Sequence, residues 1–125
     1  MTVKLNGVTI IFNVTDLDRT NKFYRTHLGL DFVRYEEAGS TFLMTKIGPD
    51  IDVMAFRGDP RPGNTPNVVF GLAEGGIDGF VERLAAAGVE IVTPVSEAPD
   101  GLYADFRDPD GHTVSVYQPA TLPRS

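Results

Sequence analysis

The segment YADFRDPDGHTVSVYQP, residues 103–119, has the pattern of two β-strands joined by a tight turn. The turn is Asp108-Pro109-Asp110-Gly111, because proline presets an early turn position and glycine adopts a positive φ without steric cost. In the second strand Val114 and Val116 alternate with hydroxyl-bearing residues, and successive strand residues point to opposite faces. The valines are therefore predicted to face a helix, and the opposite face carries Thr113, Ser115 and Tyr117.

The order of elements around this segment, one strand, one helix and three strands, occurs twice along the chain. Equivalent residues keep nearly constant separations of 58, 60, 59 and 61 residues, for the pairs Phe12 and Phe70, Leu17 and Ile77, Gly29 and Gly88, and Val53 and Val114. An internal repeat of this length indicates two copies of one supersecondary unit, each burying a helix against a sheet. We predict an α+β fold of two βαβββ modules, with curled, mainly antiparallel sheets and the helices outside.

The chain divides at one proline-rich connector. Module 1 is predicted over residues 5–56, the linker over 57–66, and module 2 over 67–119, within a single domain spanning 1–125. The linker, RGDPRPGNTP, holds three prolines and two glycines, which is typical of a connector. The tail, residues 120–125, is predicted to fray.

The first helix has clear start and stop signals. Thr15 or Asp16 is predicted to cap its N-terminus, and Gly29 supplies the left-handed residue that ends it. Its apolar face is predicted to hold Leu17, Phe23, Tyr24 and Leu28.

Composition excludes several classes of function. The net charge of −6 does not fit nucleic-acid binding, which needs clustered Lys and Arg. No apolar run approaches the roughly 18–20 residues that span a bilayer, and no signal-peptide pattern is present, so a cytoplasmic location without a membrane partner is expected. The absence of cysteine excludes disulfides, thiolate metal sites and a cysteine nucleophile.

Two motifs, VTDLDRTNKFYRTHLGLDF near the N-terminus and FRDPDGHTVSVYQP near the C-terminus, resemble the glyoxalase / bleomycin-resistance / extradiol-dioxygenase (vicinal oxygen chelate) superfamily. The resemblance covers residues 5–119. It implies paired βαβββ modules whose sheets form a cleft, and in enzymes of the superfamily that cleft holds a divalent metal.

The metal positions implied by the resemblance fall on Thr9, Met54, Asn67 and Ser115. None of these side chains offers an imidazole or a carboxylate, which divalent catalytic metals require. We therefore expect no metal and no cofactor.

Other polar residues offer weaker alternatives. His27 and His112 are expected to be structural, at a helix end and beside a turn. Asp105, Asp108 and Asp110 are an alternative surface cation site, and Asp52 is an alternative general base or anchor for a cationic ligand.

Strand alternation predicts an apolar and aromatic lining for the cleft, which suits a small organic molecule. These residues are Thr9, Ile11, Phe42, Met44, Met54, Phe56, Asn67, Val69, Tyr103, Ser115 and Tyr117.

The resemblance favours a non-catalytic, metal-free protein that sequesters an aromatic or cationic compound, as bleomycin-resistance proteins do, with antibiotic resistance as the implied role. Alternatives are a glyoxalase- or dioxygenase-like lyase or isomerase with an unrecognised metal site, and a structural or regulatory module. A homodimer is expected, since a second copy can cover the sheet edges.

Overall fold

The computed structural model describes residues 3–61, 65–107, 109 and 111–125, which contain two helices and eight strands. Asp108 and Asp110 of the predicted turn, and part of the predicted linker, lie outside these residues. The elements are β1 (Leu5–Val14), α1 (Leu17–Leu28), β2 (Val33–Glu37), β3 (Ser40–Ile47), β4 (Ile51–Arg57), β5 (Asn67–Leu72), α2 (Ile77–Ala86), β6 (Ile91–Ala98), β7 (Gly101–Arg107) and β8 (Thr113–Pro119). Their order confirms the predicted α+β class with two βαβββ modules.

The chain forms two compact units. One is Thr9–Asn67, and the other combines Val68–Ser125 with the beginning of β1. Strand order is β2-β3-β4-β1 in the first unit and β5-β8-β7-β6 in the second. β2–β3, β3–β4, β6–β7 and β7–β8 pair antiparallel, whereas β5 and β8 run parallel. The prediction of mainly antiparallel sheets is therefore confirmed.

Each unit buries one sheet face against its helix. The core of the first unit contains Leu17, Phe32, Leu43, Val53 and Ala55. The core of the second contains Leu72, Ile77, Leu102, Ala104 and Val116. Because strand residues alternate, the other face of each sheet is turned away from the helix. No helix in the described part of the chain is long and apolar enough to cross a membrane.

Helix α1 begins and ends at the predicted signals. The Asp16 side chain accepts a hydrogen bond from the Arg19 amide at 3.1 Å, and Gly29 ends the helix with φ of 68°. The predicted apolar face is wrong at two positions, because Phe23 is 51% and Leu28 is 64% exposed. The buried face starts at Leu17 and leaves these two side chains pointing outward.

Gln118, near the end of β8, connects the sheet to helix α2. Its side chain is 0% exposed. The amide oxygen accepts a hydrogen bond from the Ile77 backbone N–H at 2.9 Å, and the amide nitrogen donates to the carbonyls of Leu122 and Pro123 at 3.1 Å each. One buried side chain therefore satisfies groups of both the helix start and the tail.

The tail after β8 is ordered against α2, so the prediction that it frays is wrong. Helix α2 has no side-chain cap, and backbone carbonyls of the tail take that role. The N–H of Gly76 donates to the Pro123 carbonyl at 2.8 Å, and the N–H of Asp78 donates to the Arg124 carbonyl at 3.0 Å. The Arg124 guanidinium also binds both carboxylate oxygens of Asp78 at 2.9 Å. These bonds satisfy helix-terminal N–H groups that lack an intrahelical partner.

Candidate functional site

The sheet face of the first unit that points away from α1 carries a row of three aromatic rings. Tyr35, Phe42 and Phe56 are neighbours in register across β2, β3 and β4. The Tyr35 and Phe42 ring centroids are 5.5 Å apart with planes 18° from parallel, and those of Phe42 and Phe56 are 5.0 Å apart at 25°. We call these three residues the aromatic ladder. The rings stack on one another, and the middle ring, Phe42, is only 8% exposed, so the aromatic ladder presents ring edges and the outer faces of its two end rings.

The rows beside the aromatic ladder change from apolar to charged. Met44 pairs with Met54 in the adjoining row, and Lys46 pairs with Asp52 in the next. The Lys46 ammonium lies 2.8 Å from Asp52 Oδ1. This hydrogen bond and the attraction between the charges raise the pKa of Lys46 above its ordinary value. The pair therefore favours the folded state below that ordinary value, and the contribution is lost as pH rises through the raised pKa.

Strand β1 contributes one hydroxyl-bearing and one apolar side chain to the same face. Phe12 and Val14 pack in the core against α1, so alternation turns Thr9 and Ile11 to the opposite face. Both are half-buried, as is Asn67 at the start of β5. The predicted orientation of the β1 residues is therefore correct.

The corresponding face of the second unit is more polar. Tyr103 and Tyr117 are Cα partners across β7 and β8, and in the adjoining row Ser115 pairs with Asp105 on one side and with Val69 on the other. Val116, between Ser115 and Tyr117, is buried in the core under α2. The prediction that Ser115 points away from the helix is therefore correct.

Ser115 and Asp105 form a hydrogen-bonded polar pair on this face. Ser115 is 2% exposed, and its hydroxyl donates a hydrogen bond to Asp105 Oδ1. The sequence predicted Asp105 only as part of an alternative surface cation site. The missing information was the register between β7 and β8, which sets which residue lies beside Ser115.

All predicted lining residues of β3, β4, β7 and β8 lie on the faces turned away from the helices. The first unit holds Thr9, Ile11, Phe42, Met44, Met54, Phe56 and Asn67, and the second holds Val69, Tyr103, Ser115 and Tyr117. Their part in binding a ligand stays a prediction. Sequence reasoning missed Tyr35, the outermost ring of the aromatic ladder, because a short strand with a fully exposed pattern carries little alternation.

The side chains at the metal positions implied by the family resemblance do not fit a divalent ion. Thr9, Met54, Asn67 and Ser115 offer two hydroxyls, a thioether and an amide, whereas such ions need carboxylate or imidazole ligands. Within the described residues no group of three or more His, Asp or Glu side chains could hold a metal. His27 and His112 are exposed, and the His27 ring lies 4.8 Å from that of Phe23.

Comparison with known proteins shows the family of this chain. The sequence model of the Glyoxalase/Bleomycin resistance protein/Dioxygenase superfamily matches residues 5–116. The chain belongs to this superfamily, as its two motifs indicated.

Individual relatives carry several different names. The metallothiol transferase FosB of Shouchella clausii (strain KSM-K16) is 30% identical over 123 residues, covering 90% of this chain and 80% of that protein. A methylmalonyl-CoA epimerase structure from Streptomyces coelicolor has a TM-score of 0.65 at 17% identity, covering 97% of this chain and 100% of that one. A structure named NAD-dependent benzaldehyde dehydrogenase, from Legionella pneumophila, has a TM-score of 0.68 at 15% identity, covering 90% and 98%. At such identities the two structures support the fold alone.

Proposed function

We propose that this chain is a metal-free small-molecule-binding protein that sequesters an aromatic or cationic compound, as bleomycin-resistance proteins do. The observation that carries the proposal is the aromatic ladder, three nearly parallel rings on a sheet face that no helix of the same unit covers. The end rings of the aromatic ladder, Tyr35 and Phe56, keep exposed aromatic area on which a planar organic molecule can stack and so remove apolar area from water.

Met44 and Met54 extend the aromatic ladder with flexible, polarisable side chains. Methionine adapts to irregular partners and makes favourable contacts with aromatic rings. The ion pair of Lys46 and Asp52 borders the apolar rows on the same face. A surface with an apolar centre and a polar edge is typical of sites for organic ligands.

The absence of acidic or imidazole side chains at Thr9, Met54, Asn67 and Ser115 supports binding without metal-dependent conversion. A neutral donor set offsets the dehydration of a divalent cation poorly. Under this proposal the ligand leaves the protein chemically unchanged.

A screen of planar aromatic compounds by thermal shift, followed by calorimetry and mass spectrometry, tests the proposal. We expect at least one compound to raise the melting temperature in the presence of chelator and to be recovered intact. Conversion of a bound compound, or stabilisation only after metal addition, would contradict sequestration.

A second candidate is a metal-dependent enzyme, a lyase, isomerase or transferase. The 30% identity to a metallothiol transferase over most of both chains favours it. Metal analysis of protein purified without chelator distinguishes the candidates, because this enzyme needs stoichiometric metal and the binding protein does not.

We also propose a cytoplasmic homodimer. β2 and β6 lie at the outer ends of the strand orders of their units, and sheet edges are surfaces that a second copy can cover. Light scattering at micromolar concentration is expected to give twice the 13.6 kDa of the chain, and a value equal to one chain would contradict the dimer.

A further inference from the structure

Asp105 lies near the middle of β7, on the face turned away from α2. Its neighbours Ala104 and Phe106 contribute to the core under the helix, so alternation directs the Asp105 carboxylate to the opposite face. The hydroxyl of the buried Ser115 donates to Asp105 Oδ1 from the adjacent strand. Strand pairing therefore holds this half-buried carboxylate in a defined position.

The negative charge of Asp105 has no ion-pair partner in the part of the chain that the structure describes. Arg107, two residues further along β7, is engaged elsewhere: its Nε lies 3.2 Å from Glu90 Oε2, and its Nη1 donates to the Gly111 carbonyl at 3.1 Å. A carboxylate that has lost part of its hydration and accepts one neutral hydrogen bond is poorly compensated. A cation brought by a ligand supplies the stronger, charge-assisted partner.

The fold itself does not require a carboxylate at this place. The equivalent residue in the first module is Met44, which pairs with Met54 as Asp105 pairs with Ser115. Beside Asp105 on the same face is Tyr103, a half-buried aromatic residue. Aromatic rings attract cations through their negative faces, so carboxylate and ring favour the same kind of ligand group.

We infer that Asp105 determines specificity in the proposed binding function, its carboxylate anchoring the positively charged nitrogen of an organic amine or amidine beside the Tyr103 ring. The inference rests on the proposed small-molecule binding. It adds that the ligand carries a protonated nitrogen, recognised by Asp105 beside the Tyr103 ring within the second unit.

The test compares two probes of the same shape, benzamidine, which is a cation at neutral pH, and benzamide, which is neutral. Binding is measured by titration of isotope-labelled full-length protein in nuclear magnetic resonance experiments. We expect benzamidine to bind about tenfold more tightly, with shift changes around Asp105. Asp105→Asn should remove this preference and leave the affinity for benzamide unchanged. Glu82→Gln, which changes the net charge equally on the exposed side of α2, should keep the preference.

A second measurement needs only the unchanged protein. Raising the salt concentration to about 0.5 M is expected to weaken benzamidine binding and not benzamide binding, because salt screens the attraction between charges. Equal affinity for both probes, or a preference that survives Asp105→Asn, would overturn the role of Asp105 alone. Failure of both probes to bind would count against the proposed binding function as well.

Discussion

Met54 in β4 and Ser115 in β8 occupy equivalent places in the two modules. Met54 is the Cα partner of Met44, Ser115 is the Cα partner of Asp105, and each residue of the first pair precedes its counterpart by 61 positions. The implied metal position in the last strand of each module is therefore occupied by a thioether in the first module and by a hydroxyl in the second. The pair of methionines makes this row of the first unit apolar, whereas the equivalent row of the second unit carries the Asp105 carboxylate.

Chelator is expected to leave the stability of the protein unchanged. Because the implied metal positions carry neutral side chains, dialysis against EDTA should not shift the melting temperature relative to dialysis against buffer. Elemental analysis should find no stoichiometric Zn, Fe, Mn or Ni. A melting temperature that falls with EDTA and recovers with one of these metals would contradict the prediction.

Removing the outermost ring of the aromatic ladder is expected to weaken binding of a planar dye. Tyr35 is 40% exposed, so Tyr35→Ala should change stability little. A stacked aromatic pair contributes about 0.5–1.5 kcal/mol beyond buried area, which corresponds to a roughly two- to tenfold loss of affinity. Calorimetry with proflavine measures the loss. Phe23→Ala, at an exposed aromatic residue of α1, is the matched control. An equal loss of affinity in both variants would contradict the prediction.

Replacing Gln118 by leucine is expected to destabilise the protein strongly. The substitution leaves the buried N–H of Ile77 without its acceptor and the Leu122 carbonyl without its side-chain donor, whereas the Pro123 carbonyl keeps its bond from the Gly76 N–H. Each unsatisfied buried group costs about 1–3 kcal/mol, so the free energy of unfolding should fall by at least that amount in urea denaturation. Thr121→Ala, in the exposed part of the tail, serves as the control. A Gln118→Leu variant as stable as the parent would show that the tail does not hold α2.

Two glycine-to-alanine substitutions in the second unit are expected to act in opposite directions. A Cβ at Gly101 would lie 2.2 Å from the Gln118 carbonyl oxygen and 2.7 Å from the Tyr117 hydroxyl, and such overpacking costs about 1–3 kcal/mol. A Cβ at Gly79, inside α2, meets only the end of the flexible Arg83 side chain at 3.3 Å. Gly79→Ala should therefore stabilise by about 0.5–1 kcal/mol. Thermal unfolding measures the stability of both variants, and a change of the same sign in both would contradict the prediction.

The faces of the strands could be predicted from the sequence because alternation is local. Val114 and Val116 mark the helix side of β8, so Ser115 and Tyr117 follow on the other side without knowledge of the fold. The repeat also relates Met54 to Ser115, and the strand pairings put these two residues in equivalent rows of the two modules.

Contacts between distant segments could not be predicted in the same way. The pairing of Asp105 with Ser115 depends on the register of the β7–β8 hairpin, which the turn type and loop length set, and the turn motif alone does not show which residues pair last on either side of it. The binding of the tail to α2 depends on individual hydrogen bonds, among them that of the Ile77 N–H to Gln118, 41 residues later, and those of Arg124 to Asp78. A proline-containing polar segment has the same composition whether it is ordered or frayed, so its order follows only from the three-dimensional arrangement.

The capping of α2 by Gln118 and the tail also affects how the protein is made. Ribosomes synthesise about 5–20 residues per second, and the acceptor for the Ile77 N–H is translated 41 residues after the helix begins. The start of α2 therefore exists in the growing chain for roughly 2–8 seconds before its cap is made. In this interval all residues of the first unit have been synthesised, whereas the second unit still lacks the segment that caps its helix.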